Sequence, residues 1–311
     1  MEVAAPERHC RLAASPFDLE DAVTYRRWRD WKLACRPARI EELMVDVGDA
    51  RELAPAELKA LQRRIERCGF ALYRSAHGVD DRALPRLLGA QLGLRRLDAN
   101  WLADEDGISR ITVSGQADGH GGFIPYTDLP IRWHTDGYYH PQQRRIRGMI
   151  LHCVRPALRG GENTLLDHEL AYIALRDISP AHVRALMQPD AMTIPERTDE
   201  GGVARAAQTG PVFSVGADGG LHMRYTARTR SIEWRDDGAT RAAVARLEAL
   251  LRDPRFPGMF RVRLQAGMGL VGHNVLHDRS AFQDAPAQPR LLLRARFLDR
   301  VTSTEEPWRN G

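Results

Sequence analysis

The segment RWHTDGYYH, residues 132–140, sets His134 two positions before Asp136 and follows them with Tyr138 and Tyr139. Residues i and i+2 of an extended chain point to one side, so an imidazole and a carboxylate would stand side by side here, with Trp133 and Thr135 turned away. A neutral imidazole and a carboxylate are two of the three ligands of the 2-His-1-carboxylate arrangement, which holds Fe(II) and leaves its other face open to reactants. Alone, the pair carries little weight. With 11 histidines in the chain, a His-x-Asp arises by chance about once, and a polar strand end is the plain alternative. What changes its weight is a second histidine closing another strand-like stretch, His277 in GLVGHNVLHDRSAF, with RLLLR following at 290–294.

Four segments then stand in order: WHTDG (133–137), RGGENTLLD (159–167), VLHDRSAF (275–282) and RLLLR (290–294). In this set the chain resembles the taurine dioxygenase-like (TauD/TfdA) family of iron(II)/2-oxoglutarate-dependent dioxygenases, over residues 70–300 or so. The family pattern is a proximal His-x-Asp, a Gly-Gly-x-x-Thr-type turn, a distal histidine with a small residue and Phe behind it, and Arg-x-x-x-Arg. The resemblance implies a mainly β fold, a double-stranded β-helix (jelly roll) with flanking helices, and His134, Asp136 and His277 as catalytic iron ligands. It also implies that Thr164 and Arg290 hold the distal carboxylate of 2-oxoglutarate; an arginine fork with a hydroxyl beside it suits a carboxylate physically. The implied reaction uses Fe(II) as cofactor and 2-oxoglutarate and O2 as co-substrates. It hydroxylates a small, anionic organic molecule with release of succinate and CO2. Halogenating relatives replace the acid by a small residue, and Asp136 argues against that outcome. Desaturation, ring formation or demethylation would use the same residues, and a non-catalytic jelly roll that binds iron and 2-oxoglutarate is the alternative of another class.

Further residues surround this set. In RLLLRARFL (290–298) alternation puts Arg290, Leu292, Arg294 and Arg296 on one face. Arg294 is then expected about 13 Å from Arg290 at ~3.3 Å per residue, placed for an anionic group of the prime substrate. In LHMRYTARTRSIEW (221–234) the same alternation aligns His222, Arg224, Thr226, Arg228 and Arg230. Arg224 is therefore a second candidate substrate contact, against a salt-bridge network, and Tyr138 a third. Glu162 and Asn163 read as turn residues beside Thr164, and Gly160 and Gly161 as makers of the turn. Where the family often has Asp-Asn before the distal histidine, this chain has His273-Asn274. His273 is expected to act behind the ligands or as a structural residue, with a change in iron affinity as the other reading. His140, His152 and His168 are not expected to bind metal.

These residues need elements to position them. Helices are expected at 18–34, at 54–68 with Gly69 as the C-terminal stop, at 80–94 with Pro85 in the first turn or as a kink, after the Ser179 cap, and at 240–253. Short strands are expected at 70–74, 110–113, 147–154, 162–167, 192–195, 211–215, 221–225, 260–264, 269–272 and 290–298. A single dioxygenase domain over 1–311 follows, with a helical layer over 1–95, the jelly roll over 96–311, and a candidate lid in the polar, Gly-containing stretch 194–210.

Composition narrows the surroundings. The 311 residues are 43% apolar and 28% charged, ordinary for a globular protein, without the ~18 consecutive apolar residues of a membrane helix. The start MEVAAPERHCRLAAS lacks the apolar core of a secretory leader, so a cytoplasmic protein is expected. Cys10, Cys35, Cys68 and Cys153 are scattered without a CxxC pair, against both a zinc knuckle and a disulfide framework. The pI near 9.0 comes almost wholly from arginine, mixed among 41 acids with no basic run beyond two; that pattern does not mark a nucleic-acid binder. The expected partners are a small-molecule substrate and, as in many family members, copies of the chain in a homo-oligomer, with neither nucleic acid nor membrane.

Overall fold

The strand-rich stretches build two main sheets, with smaller ones beside them, in the computed structural model, which describes residues 15–76, 80–98, 106–113, 123–199, 202–228, 232–302 and 308. The larger sheet has six strands in the order Met44–Val47, Phe70–Ser75, Met268–His273, Gly148–Arg155, Leu291–Phe297 and Ile108–Ile111. Only its first pair is parallel. The smaller has four, Met259–Val262, Asn163–Leu166, Leu276–Arg279 and Ile131–His134, all antiparallel. Neighbours in each sheet are distant in sequence, so segments far apart in the chain meet side by side, as a jelly roll requires.

Side-chain alternation explains why the larger sheet sits in the middle of the molecule. Its inner face sends Leu72, Met149, Leu151, Cys153, Leu270 and Leu292 against Leu165 and Phe260 of the smaller sheet. Its outer face sends Ala71, Tyr73, Ile150, Val271 and Leu293 against Leu61, Ile65, Leu84 and Leu88. Those four belong to the helices Pro55–Cys68 and Leu84–Gln91. Buried on both sides, Gly148–Arg155 reads as a continuous apolar run rather than an alternating one. Gly69 ends the first of these helices at φ +76°, its N–H donating to Ile65 O at 2.7 Å, the left-handed stop that its position in the sequence predicts.

The elements within 1–95 do not all lie over the larger sheet. Helix Ala22–Ala34 packs instead with Phe17 and helix His168–Ile178, where Phe17 meets Tyr172 edge-on at 5.5 Å. The strand expected at 70–74 stands as Phe70–Ser75 in the sheet, and Met44–Val47 adds an unforeseen strand beside it. Helix His168–Ile178 itself has no forecast in the sequence, because TLLDHELAYIALRDI runs from strand to helix without a Gly or Pro break. Its start is marked only by the Asp167 cap, whose carboxylate accepts from Glu169 N at 2.9 Å. Within 194–210 the chain forms a hairpin, Arg197–Asp199 with Gly202–Arg205, and Gln208–Gly210 pairs with Met192–Ile194. Among the described residues Cys35, Cys68 and Cys153 are free thiols, and no helix is long and apolar enough to cross a membrane.

Candidate metal centre

His134 ends one strand of the smaller sheet and His277 sits directly opposite it on the next. Directly paired residues share a face, and the two rings stand 4.2 Å apart, centroid to centroid. Asp136 follows on the turn, so that one ligand atom from each of the three residues lies within 4.8 Å of the other two. The ring nitrogens have divided their work. His134 Nδ1 donates to Arg132 O at 3.0 Å and His277 Nδ1 to Val275 O at 2.9 Å, which leaves each Nε2 with a bare lone pair. Asp136 Oδ2 is buried and has no partner. Burial, with His277 adding to it, pushes the His134 pKa down to about 3. Burial alone would raise the Asp136 carboxyl, but the charges of Arg294 and Arg296 outweigh it and hold the group below the usual carboxylate range. Lone pairs on two imidazoles and one ionised carboxylate converge on one point, a donor set that fits Fe(II).

One buried side chain holds this geometry. Asn274 Oδ1 accepts from Asp136 N at 2.8 Å, and its Nδ2 donates to Asp136 O at 2.8 Å and Ile146 O at 2.9 Å. Asn274 precedes His277 on the same segment, so it ties the backbone of one ligand to the strand of another. Asn274→Ala is expected to weaken binding of a divalent metal by roughly 10- to 100-fold, the usual effect of losing contacts behind a ligand. Anaerobic titration with Fe(II) or Mn(II) measures this, and an unchanged affinity would mean that the strand ends alone position Asp136. Its neighbour His273 points elsewhere: Arg300 Nε donates to His273 Nε2 at 3.0 Å, and Arg300 also reaches Glu169 at 3.4 Å. His273 is thus a structural residue. His140, His152 and His168 are also engaged away from the triad, by Asp98 at 3.1 Å, Tyr73 OH at 3.0 Å and Leu221 O at 3.0 Å.

The Gly-Gly turn lies against Arg290. A Cβ on Gly160, at φ +70°, would stand 2.2 Å from Ala281 O, and a Cβ on Gly161 would stand 3.5 Å from Arg290 Nε. Only glycine allows so close an approach at that φ. Arg290 is 4% exposed, and its guanidinium lies over the Phe282 ring, 5.0 Å from the centroid. Among the described residues its head has no hydrogen-bond or ion-pair partner, and burial lowers its pKa. A buried, unmatched cation is expensive unless an anion joins it. Thr164 is a correction. His277 pairs with Leu165, so Leu165 shares the triad's face and Thr164 turns to the other, where it lines an outer cleft with Asp278, Arg261 and Leu251. Asn163, read from sequence as a turn residue, faces inward instead: it is buried, its Nδ2 donates to Asp278 O at 2.9 Å, and its Oδ1 has no partner.

The predicted substrate contacts divide. Arg290, Leu292, Arg294 and Arg296 do run along the inner side of one strand, but Arg294 Nη1 sits 3.3 Å from Asp136 Oδ1. Arg296 binds Asp98 at 2.7 Å and donates to Tyr139 OH at 3.0 Å. Asp98, which no sequence signal marks, also takes Arg144 at 2.7 Å and His140 at 3.1 Å. Tyr138 lines a small cavity with Asp136 and packs edge-on to Tyr139 at 5.2 Å. Arg224 borders the same cavity, yet its guanidinium donates to the carbonyls of Gln208, Met192 and Gly210. It is a cross-link between strands rather than a free anion receptor, and Arg230 lies outside the described residues. A second residue missed from sequence is Arg279, which gathers the carbonyls of Pro125, Thr127 and Leu129 and so fastens the loop 124–129 beside the site.

The chain is similar to known proteins along most of its length. The pattern of the taurine catabolism dioxygenase TauD, TfdA family matches residues 36–296. A uridine-5'-phosphate dioxygenase from Amycolatopsis sp is 31% identical over 277 residues, covering 84% of this chain and 98% of that protein. Another from Streptomyces sp is 33% identical over 196 residues, covering 62% of this chain and 69% of that protein. Among solved structures, the non-heme iron oxygenase OrfP superposes with a TM-score of 0.56 at 20% identity, over 84% of each chain. An asparagine oxygenase superposes with a TM-score of 0.53 at 15% identity, over 89% of this chain and 92% of that one. At those identities the structural likeness speaks for the jelly-roll fold.

Proposed function

The chain belongs to the taurine catabolism dioxygenase TauD, TfdA family, and on that premise we propose that His134, Asp136 and His277 hold its iron and that Arg290 and Asn163 hold its 2-oxoglutarate. It is an iron(II)/2-oxoglutarate-dependent dioxygenase that acts on a small molecule with O2 as co-substrate. The proposed substrate is a nucleoside 5'-phosphate or a similarly compact phosphomonoester, after the activity in the names of the two relatives. The observation that carries the site assignment is the convergence of two bare Nε2 atoms and the Asp136 carboxylate, with the buried head of Arg290 left without a hydrogen-bond partner among the described residues.

Bound iron supplies the redox chemistry by which O2 and 2-oxoglutarate oxidise the substrate, with succinate and CO2 released. The protein's share is positioning. Arg290 presents a planar fork to a carboxylate and is already desolvated, so the anion's arrival satisfies a charge that the fold left open. Asn163 has a second Nδ2 hydrogen to offer the same carboxylate. Arg294 Nη1 donates to Asp136 Oδ1 and would hold that carboxylate in place for the metal, while its buried Nε, unpartnered among the described residues, is a donor left for an anionic substrate.

Strand register sets Asn163 and Thr164 on opposite faces. Asn163→Ala should raise the 2-oxoglutarate KM by roughly tenfold or more, since a hydrogen bond to a charged group contributes ~1.5–3 kcal/mol. Thr164→Val should change it little, because its side chain is on the far side of the strand. Equal effects of the two substitutions on succinate formation would refute the facing. The substrate proposal is tested by succinate release with uridine 5'-phosphate, uridine and a panel of small carboxylic acids. Stimulation by the acids alone would overturn it.

A further inference from the structure

We propose that Arg279 is a positioning residue that couples 2-oxoglutarate bound at Arg290 to the segment leading into the strand of His134; this rests on the assignment of Arg290 to 2-oxoglutarate above. Arg279 stands two residues after His277, at the end of Leu276–Arg279, and its backbone partner on the next strand is Ile131, the first residue of Ile131–His134. Its guanidinium reaches back over the run-in to that strand, donating to Pro125 O at 3.2 Å, to Thr127 O at 2.7 Å and to Leu129 O. Phe282 N holds the same segment through Asp128 O at 3.1 Å. The Phe282 ring then joins the segment to the 2-oxoglutarate cation: the Arg279 head lies 4.8 Å from its centroid and the Arg290 head 5.0 Å. Antiparallel pairing with Gly160 fixes the backbone of Phe282 against the Gly-Gly turn.

Two guanidinium groups on one ring are each attracted by it and repel each other, the more so away from water. Arg279 and Arg290 are both 4% exposed, and neither forms an ion pair among the described residues. Burial first and Arg290 second push the Arg279 pKa down to about 9, while Asp128 and Asp284 act the other way from beyond ion-pair distance. A carboxylate on Arg290 offsets that repulsion, so Arg279 holds its three carbonyls more firmly. Linkage makes the effect reciprocal: a segment held by Arg279 favours 2-oxoglutarate by the same factor. Arg279 thus ties the strand of His277, the approach to His134 and the 2-oxoglutarate cation into one unit. A merely structural arginine would grip the segment equally with or without 2-oxoglutarate.

The test is hydrogen–deuterium exchange of the full chain loaded with Mn(II), with and without 2-oxoglutarate, alongside calorimetric titration of 2-oxoglutarate. The amides of Tyr126 and Thr127 are bonded to carbonyls three residues back, so their exchange reports opening of the segment. In wild type, saturating 2-oxoglutarate is expected to slow exchange over 124–131 by roughly fivefold or more, the low end of ordinary coupling between sites. Arg279→Lys keeps the charge but cannot span three carbonyls; it should bind 2-oxoglutarate roughly fivefold more weakly and lose the slowing, while still binding Mn(II). Arg290→Leu should bind 2-oxoglutarate weakly and show no slowing at the concentration that saturates wild type. If binding depends on Arg290 but wild-type exchange over 124–131 does not respond, the coupling is wrong and the Arg290 assignment stands. If Arg279→Lys keeps both the affinity and the slowing of wild type, the coupling does not run through Arg279 and the proposal falls. If Arg290→Leu binds 2-oxoglutarate as wild type does, the assignment falls and the coupling with it.

Discussion

Arg290→Leu should weaken 2-oxoglutarate binding without weakening the fold. The requirement for 2-oxoglutarate rises steeply, by roughly 2–5 kcal/mol in binding, because the variant leaves a buried carboxylate without its charge-assisted partner. The melting temperature of the protein without 2-oxoglutarate should hold or rise. Arg290 is 4% exposed, has no ion-pair partner among the described residues and lies against Phe282, so an apolar side chain of similar length removes an uncompensated charge. This is the pattern of a residue kept for binding at a cost to the fold. Titrating succinate formation against 2-oxoglutarate, with a thermal melt of the same preparation, reads both. A variant that melts lower and keeps its 2-oxoglutarate affinity would show Arg290 to be structural. Arg294→Leu provides the contrast, since it removes a neighbour of Asp136 and should weaken metal binding and substrate stimulation rather than 2-oxoglutarate affinity.

Removal of a metal ligand should have the larger effect on turnover. His277→Ala and Asp136→Ala are both expected to reduce succinate formation by roughly 1,000-fold or more, at least ~4 kcal/mol of barrier at 1.36 kcal/mol per tenfold. Bound iron should fall below one equivalent in both. Their stabilities should differ. His277→Ala deletes a ring from a strand that stays paired on both sides with Asn163–Leu166 and Ile131–His134, and it also ends the crowding of two imidazoles 4.2 Å apart. Asp136→Ala takes away the one carboxylate that contacts Arg294 among the described residues and strands a buried cation, which typically costs 3–5 kcal/mol or so. Metal analysis and thermal melts of the two variants decide the matter. Iron retained at one equivalent in either would remove that residue from the ligand set.

Much of the site is legible in residue types and spacing. A His-x-Asp, a distal histidine and an arginine repeat specify which groups converge, because each is chemically needed and each sits at the end or along the face of a strand whose alternation can be counted. The same holds for the Gly69 stop and the outer helices Pro55–Cys68 and Leu84–Gln91, whose apolar stripes are periodic. What depends on contacts between distant segments is another matter. Thr164 and Asn163 differ by one position, and a one-residue slip exchanges the faces of a strand; only the pairing of Leu165 with His277 decides which of them looks at the triad. Asn274 grips Asp136 across 138 positions of sequence, and Asp98 gathers Arg144, His140 and Arg296. Arg224 and Arg290 are both buried arginines, yet the head of one meets three backbone carbonyls, while that of the other lies on the Phe282 ring with no hydrogen-bond partner among the described residues. Local sequence carries the identity of a charged group, but whether its charge is spent on the fold or left for a ligand depends on which distant atoms the packing brings to it.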